Sequence, residues 1–147
     1  MPQGHLTRRG FLAFAAATAL SCLGGACVRG TFAAEPAAAP TIKLIVEYGD
    51  GVEKHFLLPW QQGMTVLDAT KQAAASPHGI KFESTGGGAT AFLAQIDDVK
   101  NQGGGSGKKN WLYWVNGEQG KAGFGARKLE PGDSARWKFA VYDASQK

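Results

Sequence analysis

Apolar and polar residues alternate from residue 41 to 48, with Ile42, Leu44, Val46 and Tyr48 on one face and Lys43 and Glu47 on the other. This period of two predicts a half-buried strand. Gly49-Asp50-Gly51 supplies the backbone freedom for a tight reversal. Residues 52–58 then return as a second strand with Phe56 and Leu58 inward, and Pro59 closes it. The period changes after that. Thr65-Val66-Leu67-Asp68 is a T-x-x-D start, close to a capping box, with Thr65 placed to accept from the first-turn amides. Val66, Ala69 or Thr70, and Ala73 recur on one face up to Ala75, which predicts a helix able to lie on a sheet. Ser76-Pro77-His78-Gly79 ends it.

Beyond the helix the pattern is again extended. Residues 80–83 suit a short strand, Gly86-Gly87-Gly88 a mobile or tightly turned segment, and residues 91–99 a strand that runs out into a turn. Residues 102–109 form a Gly/Ser/Lys loop. Residues 111–115 are strongly β-prone and lead into Asn116-Gly117, a hairpin signal. Glu130-Pro131-Gly132-Asp133 marks another turn. Ala135, Trp137, Phe139 and Val141 then alternate with Arg136, Lys138 and Ala140 as a final strand. Strand, strand, helix, several strands predicts one helix packed across a curved mixed sheet of about five strands, an α+β roll. About 100 residues suffice for one such core without staples.

Charge and cysteine separate the first 34 residues from the rest. Residues 6–12 read LTRRGFL, and the 18 residues 11–28 carry no charge. A basic start, an apolar stretch and small residues behind it make an export signal. Arg8 and Arg9 after Thr7, with Phe11 and Leu12 following, resemble a twin-arginine signal, which implies folding before export. Cleavage after Ala33 or Ala34 fits the small residues there. Lipid attachment at Cys27 fits less well, because Gly24-Gly25-Ala26 lacks a large aliphatic residue. Retention of 11–28 as an anchor would use a span at the short end of the useful range. The organisation expected is therefore a signal over 1–34, a Pro/Ala linker over 35–40 and a domain over 41–143. From Glu35 onward there are 13 basic and 12 acidic residues, so the pI of 9.2 belongs largely to the leader and argues against a nucleic-acid partner. Cys22 and Cys27 also lie in the leader, leaving no disulfide, thiol nucleophile or cysteine zinc site in the folded part. No mature segment is apolar enough to span a bilayer, and the expected location is extracytoplasmic, periplasmic or secreted.

The hairpin YGDGVEKHF, the helix start GMTVLDA, the segment FLAQIDDV, the run WLYWVNG and the ending LEPGDSARWKF come in the order of the transcobalamin-like C-terminal domain family. The chain resembles that family over nearly all of residues 41–142. The resemblance implies a β-grasp-like fold. In animals the same domain caps the cobalamin in its carriers against a large helical domain. The 147 residues here leave no stretch for such a domain, so a corrinoid ligand is implied only by analogy.

The aromatic residues carry the candidate chemistry. Alternation sends Trp111, Tyr113 and Val115 to one face of their strand and Leu112 and Trp114 to the other. Either Trp114 or the Trp111/Tyr113 pair is then left partly outside, as a stacking platform for a flat ligand or as packing under the helix or glycine loops. Trp60 follows Pro59 in a loop context and is a ligand or partner candidate, or a cap over the helix start. Phe124 between Gly123 and Gly125 is a lid or a plug. The loop QGGGSGKKN fails the phosphate-loop pattern, since Gln102 replaces the first glycine and Lys109 the hydroxyl residue. His55 and His78 stand apart without metal-ligand spacing. Asp97 and Asp98 are adjacent, so on a strand they point to opposite faces. Ser106 misses the nucleophile elbow. The expectation is an exported, non-catalytic binding module without cofactor or metal. Its ligand would be small and flat or apolar, such as a corrinoid, held by Trp60, Trp111, Tyr113, Trp114 and Phe124. The alternative is a protein-interaction or structural module of the cell envelope.

Overall fold

The alternation that opens the domain becomes strand β1 (Thr41–Glu47), and its return becomes β2 (Glu53–Pro59). The computed structural model describes residues 38–143; the expected signal, with Arg8, Arg9 and Cys27, lies outside them. Pro59 ends β2 as its last residue, paired opposite Thr41. An edge strand has one side with no ladder bonds to make, so the missing proline N–H is tolerated there. Helix α1 (Val66–Ala75) starts with the full capping box. Thr65 Oγ1 accepts from the Asp68 amide at 3.3 Å, and Asp68 Oδ2 accepts from the Thr65 amide at 3.0 Å. The face Val66, Ala69, Thr70, Ala73 is the buried one.

Strand β3 (Phe82–Thr85) begins two residues later than the pattern suggests, because Ile80 is used as a core side chain. The glycine run leads into a single 3-10 turn at Gly88–Thr90. The expected strand over 91–99 divides into β4 (Phe92–Ile96) and β5 (Val99–Lys100). The break is at Asp97, whose φ of 47° is a conformation that a short polar side chain tolerates. Asp97 and Asp98 thus occupy a turn rather than opposite faces of a strand. β6 (Lys109–Val115), β7 (Glu118–Gln119) and β8 (Ser134–Val141) complete the chain. Asn116 at φ 52° and Gly117 at φ 84° form the left-handed turn between β6 and β7 that their sequence announces.

The five-stranded sheet runs β2-β1-β8-β6-β7, with β1 and β8 parallel and the other neighbours antiparallel. This is the α+β, β-grasp-like arrangement, one helix across a mixed sheet. A second sheet, β3-β4-β5, packs beside it and has no counterpart in the simple roll. Inward residues of β1, β6 and β8 meet α1 in one core that includes Leu44, Val46, Trp111, Trp137 and Phe139. Among the described residues no helix is long and apolar enough to cross a membrane.

The small sheet is pinned to the first hairpin by the Asp97 carboxylate. Its Oδ2 accepts from the Tyr48 hydroxyl and from Lys54 Nζ at 2.9 Å, and its Oδ1 from the Lys81 amide at 2.8 Å. Burial alone raises this carboxyl, but the bonds from Tyr48, Lys81 and Lys54 outweigh it and hold it below the usual carboxylate range. A carboxyl lowered in the folded state adds stability above its unfolded value of about 4, and that stability is lost as pH falls below it. Thermal melts at pH 7 and pH 3 should therefore show a smaller acid-induced loss for Asp97→Asn than for the wild type, with the variant already weaker at pH 7. Equal acid losses would remove Asp97 as the pin.

Candidate functional site

The helix covers one face of the five-stranded sheet and leaves the other open. Strand alternation puts Leu112 and Trp114 of β6, and Ser134, Arg136, Lys138 and Ala140 of β8, on that open face. Register then sets their neighbours. Trp114 lies opposite Arg136, Leu112 opposite Lys138, and Trp114 opposite Gln119 of β7. On the other side of β8, Arg136 pairs with Ile45 and Lys138 with Glu47. The strip around Trp114 is concave, with a volume of about 450 Å³. That size is in the range of small-molecule sites, about 300–1,000 Å³.

The two cations are fixed from behind by one acid. Glu47 Oε2 lies 3.0 Å from Arg136 Nη1, and Glu47 Oε1 lies 3.0 Å from Lys138 Nζ. Burial raises the Glu47 carboxyl, but hydrogen bonds and charge from Lys138 and Arg136 outweigh it and the net shift is downward. The two cations thus favour its charged form. Glu53 Oε1 is a more distant partner of Arg136 at 3.7 Å, while its Oε2 meets His55 Nε2 at 2.8 Å.

The structure separates the five aromatic candidates. Trp111 and Tyr113 face the core at 5% and 8% exposure, so of the two arrangements open to β6 it is Trp114 that stays outside. The Trp111 indole N–H donates to Val99 O at 2.9 Å, and the Tyr113 hydroxyl donates to Ala122 O at 2.6 Å. Phe124 is a plug, not a lid: it is 2% exposed and stands edge-on to Trp137 with ring centroids 5.1 Å apart. Gly120 lets its loop pass so close that a Cβ there would sit 1.9 Å from the Tyr113 ring. Trp111, Tyr113 and Phe124 do line the floor of a second groove, of about 360 Å³, with the exposed Phe92 and Tyr142 also along it. The two grooves share Leu112 and Gln119 as a common wall. Trp60 lines neither. Its indole donates to Leu129 O at 2.7 Å and its amide to Pro40 O at 2.8 Å, which makes it a clasp between loops.

Arg136, Lys138 and Glu47 were not legible as site residues. The signal was present as cations alternating out of a strand with aromatic partners inward. The pairing of β6 with β8 spans the whole segment 116–133, however, so register could not be counted from a turn. His55 and His78, apart in sequence, line one shallow depression beside Phe56 and Pro77. Among the described residues no group of three or more His, Cys, Asp or Glu is placed to hold a metal ion.

The fold and this open face define a β-grasp-like module with a groove on its uncovered sheet. Residues 63–140, from the loop before α1 to the end of β8, match the family described as "Domain of unknown function (DUF4430)", and the chain belongs to that family. No curated protein matches the chain. Among solved structures it is similar to one from Ruminococcus gnavus ATCC 29149 described as a "putative metal binding protein". The two share 16% identity over 71% of this chain and 99% of the other, with a TM-score of 0.52, a likeness of fold.

Burial predicts opposite outcomes for the two neighbours on β6. Trp111→Ala removes a buried ring and its hydrogen bond to the Val99 carbonyl, so it should cost about 3–5 kcal/mol in denaturant unfolding. Trp114→Ala should cost about 1 kcal/mol or less. Similar losses for the two would place Trp114 in the core and close the site.

Proposed function

We propose that this chain is an exported, non-catalytic module that holds a small flat or apolar ligand in the groove at Trp114. One observation carries the reading. Of the four tryptophans, Trp60, Trp111 and Trp137 each donate their indole N–H to an internal acceptor, at 2.7, 2.9 and 3.0 Å. Trp114 alone has neither a hydrogen-bond partner nor a ring contact among the described residues, and it lines a concave site. A half-buried indole with an open face and a free N–H is a stacking surface with a polar handle.

The order of the sequence motifs supports placing the module with transcobalamin-like C-terminal domains, and a corrinoid is the first compound to offer it. The metal in the description of the R. gnavus structure is said of that protein, whose likeness to this chain, at 16% identity, is one of fold. Arg8 and Arg9 support export by the twin-arginine route to an extracytoplasmic location.

Native mass spectrometry of the protein recovered from its exported fraction tests the reading. A mass above that of the chain, lost on denaturation, is the expected result. A bare chain that also ignores added cyanocobalamin would sink the corrinoid and move the assignment to an envelope protein partner. Replacing Arg8 and Arg9 together by Lys should leave the precursor in the cytoplasm, as fractionation and immunoblotting would show; unchanged export would remove the twin-arginine assignment.

A further inference from the structure

We infer that the ligand of the Trp114 groove carries an acidic group, with its flat body on the indole and its acid over Arg136 and Lys138. The inference rests on the small-ligand reading above and names the chemistry of that ligand. Its ground is the set of donors left over in the groove. Arg136 uses Nη1 for Glu47 and Glu53, and its Nε and Nη2 make no hydrogen bond to a described residue. Lys138 gives one contact to Glu47 and keeps the rest of its three donors. The two side chains remain 41% and 42% exposed, while Glu47, behind them, is 17% exposed and lines no part of the groove. Only Asp143, near the chain's described end, adds an acid to the lining.

The register makes the arrangement directional. Trp114 and Arg136 are cross-strand neighbours, as are Leu112 and Lys138, so an apolar wall of Trp114 and Leu112 runs beside a cationic wall of Arg136 and Lys138. A neutral flat compound lying on Trp114 would strip water from both cations and give nothing back, which is costly for charged donors. A carboxylate, sulfonate or phosphate replaces that water with charge-assisted bonds, and the planar guanidinium offers a two-toothed fit to it. Glu47 holds both cations in place beforehand, so less rotamer freedom is lost on binding.

Two dyes separate the acid from the ring. 1-Anilinonaphthalene-8-sulfonate carries a sulfonate, and N-phenyl-1-naphthylamine has the same rings without one. Binding is followed by the indole N–H signals in two-dimensional NMR, which resolve the four tryptophans and confirm that the protein stays folded. The expected result is a shift confined to Trp114, with the sulfonate dye bound about tenfold more tightly, the scale of hydrogen bonds to charged groups. Arg136→Gln and Lys138→Gln should each remove most of that advantage by weakening the sulfonate dye, while N-phenyl-1-naphthylamine, relieved of the cost of stripping water from a cation, binds no more weakly than before; the indole signals show that each variant is folded. Trp114→Ala should lose both dyes. Equal affinities that still depend on Trp114 would overturn the acidic ligand and leave the small-ligand reading standing. No binding, or binding indifferent to Trp114, would overturn both.

Discussion

Trp137 fixes the structure. It stands on β8, the middle strand of the large sheet, and is 1% exposed. Its indole N–H donates to Thr70 Oγ1 at 3.0 Å, and that hydroxyl in turn donates to Val66 O at 2.8 Å, one helical turn back. The sheet is thereby tied to α1 by a buried bond that satisfies both polar groups at once, where an unpaired partner would be costly. Phe124 and Tyr113 close around the same ring at 5.1 and 5.5 Å between centroids. The large ring, the helix and the glycine-threaded loop 120–125 therefore meet at one point.

That constraint reaches the open face through the pleat. With Trp137 inward, Ala135 and Phe139 must also be inward, and Arg136 and Lys138 must be outward. A slip of one residue in β8 would bury both cations and expose the core, so its register is strongly held. β8 pairs with β1 on one side and β6 on the other, which carries the same decision to Glu47 and Trp114. The groove is thus a consequence of the core rather than an addition to it. Its walls belong to strands, and strands hold side-chain positions more firmly than loops do.

Local patterns were legible and long-range pairings were not. The capping residues Thr65 and Asp68, the buried face of α1, the Asn116-Gly117 turn and the alternation of β1, β6 and β8 all depend on neighbours a few positions apart. The second sheet was hidden because it turns on Asp97, whose left-handed backbone is held by Tyr48, Lys54 and Lys81 from distant parts of the chain. The aromatic candidates were recognised as a set, yet sequence could not say which had partners. Trp60 resembled a free loop tryptophan until Leu129 appeared beneath it. For β6, alternation left two arrangements, and the close passage of Gly120 over the Tyr113 ring goes with the one that has Trp114 outside.

The edges of the large sheet explain why the face is the feature left available. An unpaired edge invites strand addition unless it is short, charged or interrupted. β2 presents Glu53, Lys54 and His55 and ends in Pro59, which has no amide to donate. β7, at the other edge, is two residues long. Both edges thus resist pairing with another chain. The face is guarded differently across its width: its middle carries the Glu47–Arg136–Lys138 set, an ionic cluster that keeps water beside the strands, while Trp114 and Leu112 lie next to it without such cover. A concave strip with one apolar and one charged wall suits a bounded amphipathic guest better than a flat protein surface, because a broad partner would have to dehydrate the whole ionic cluster to reach the indole.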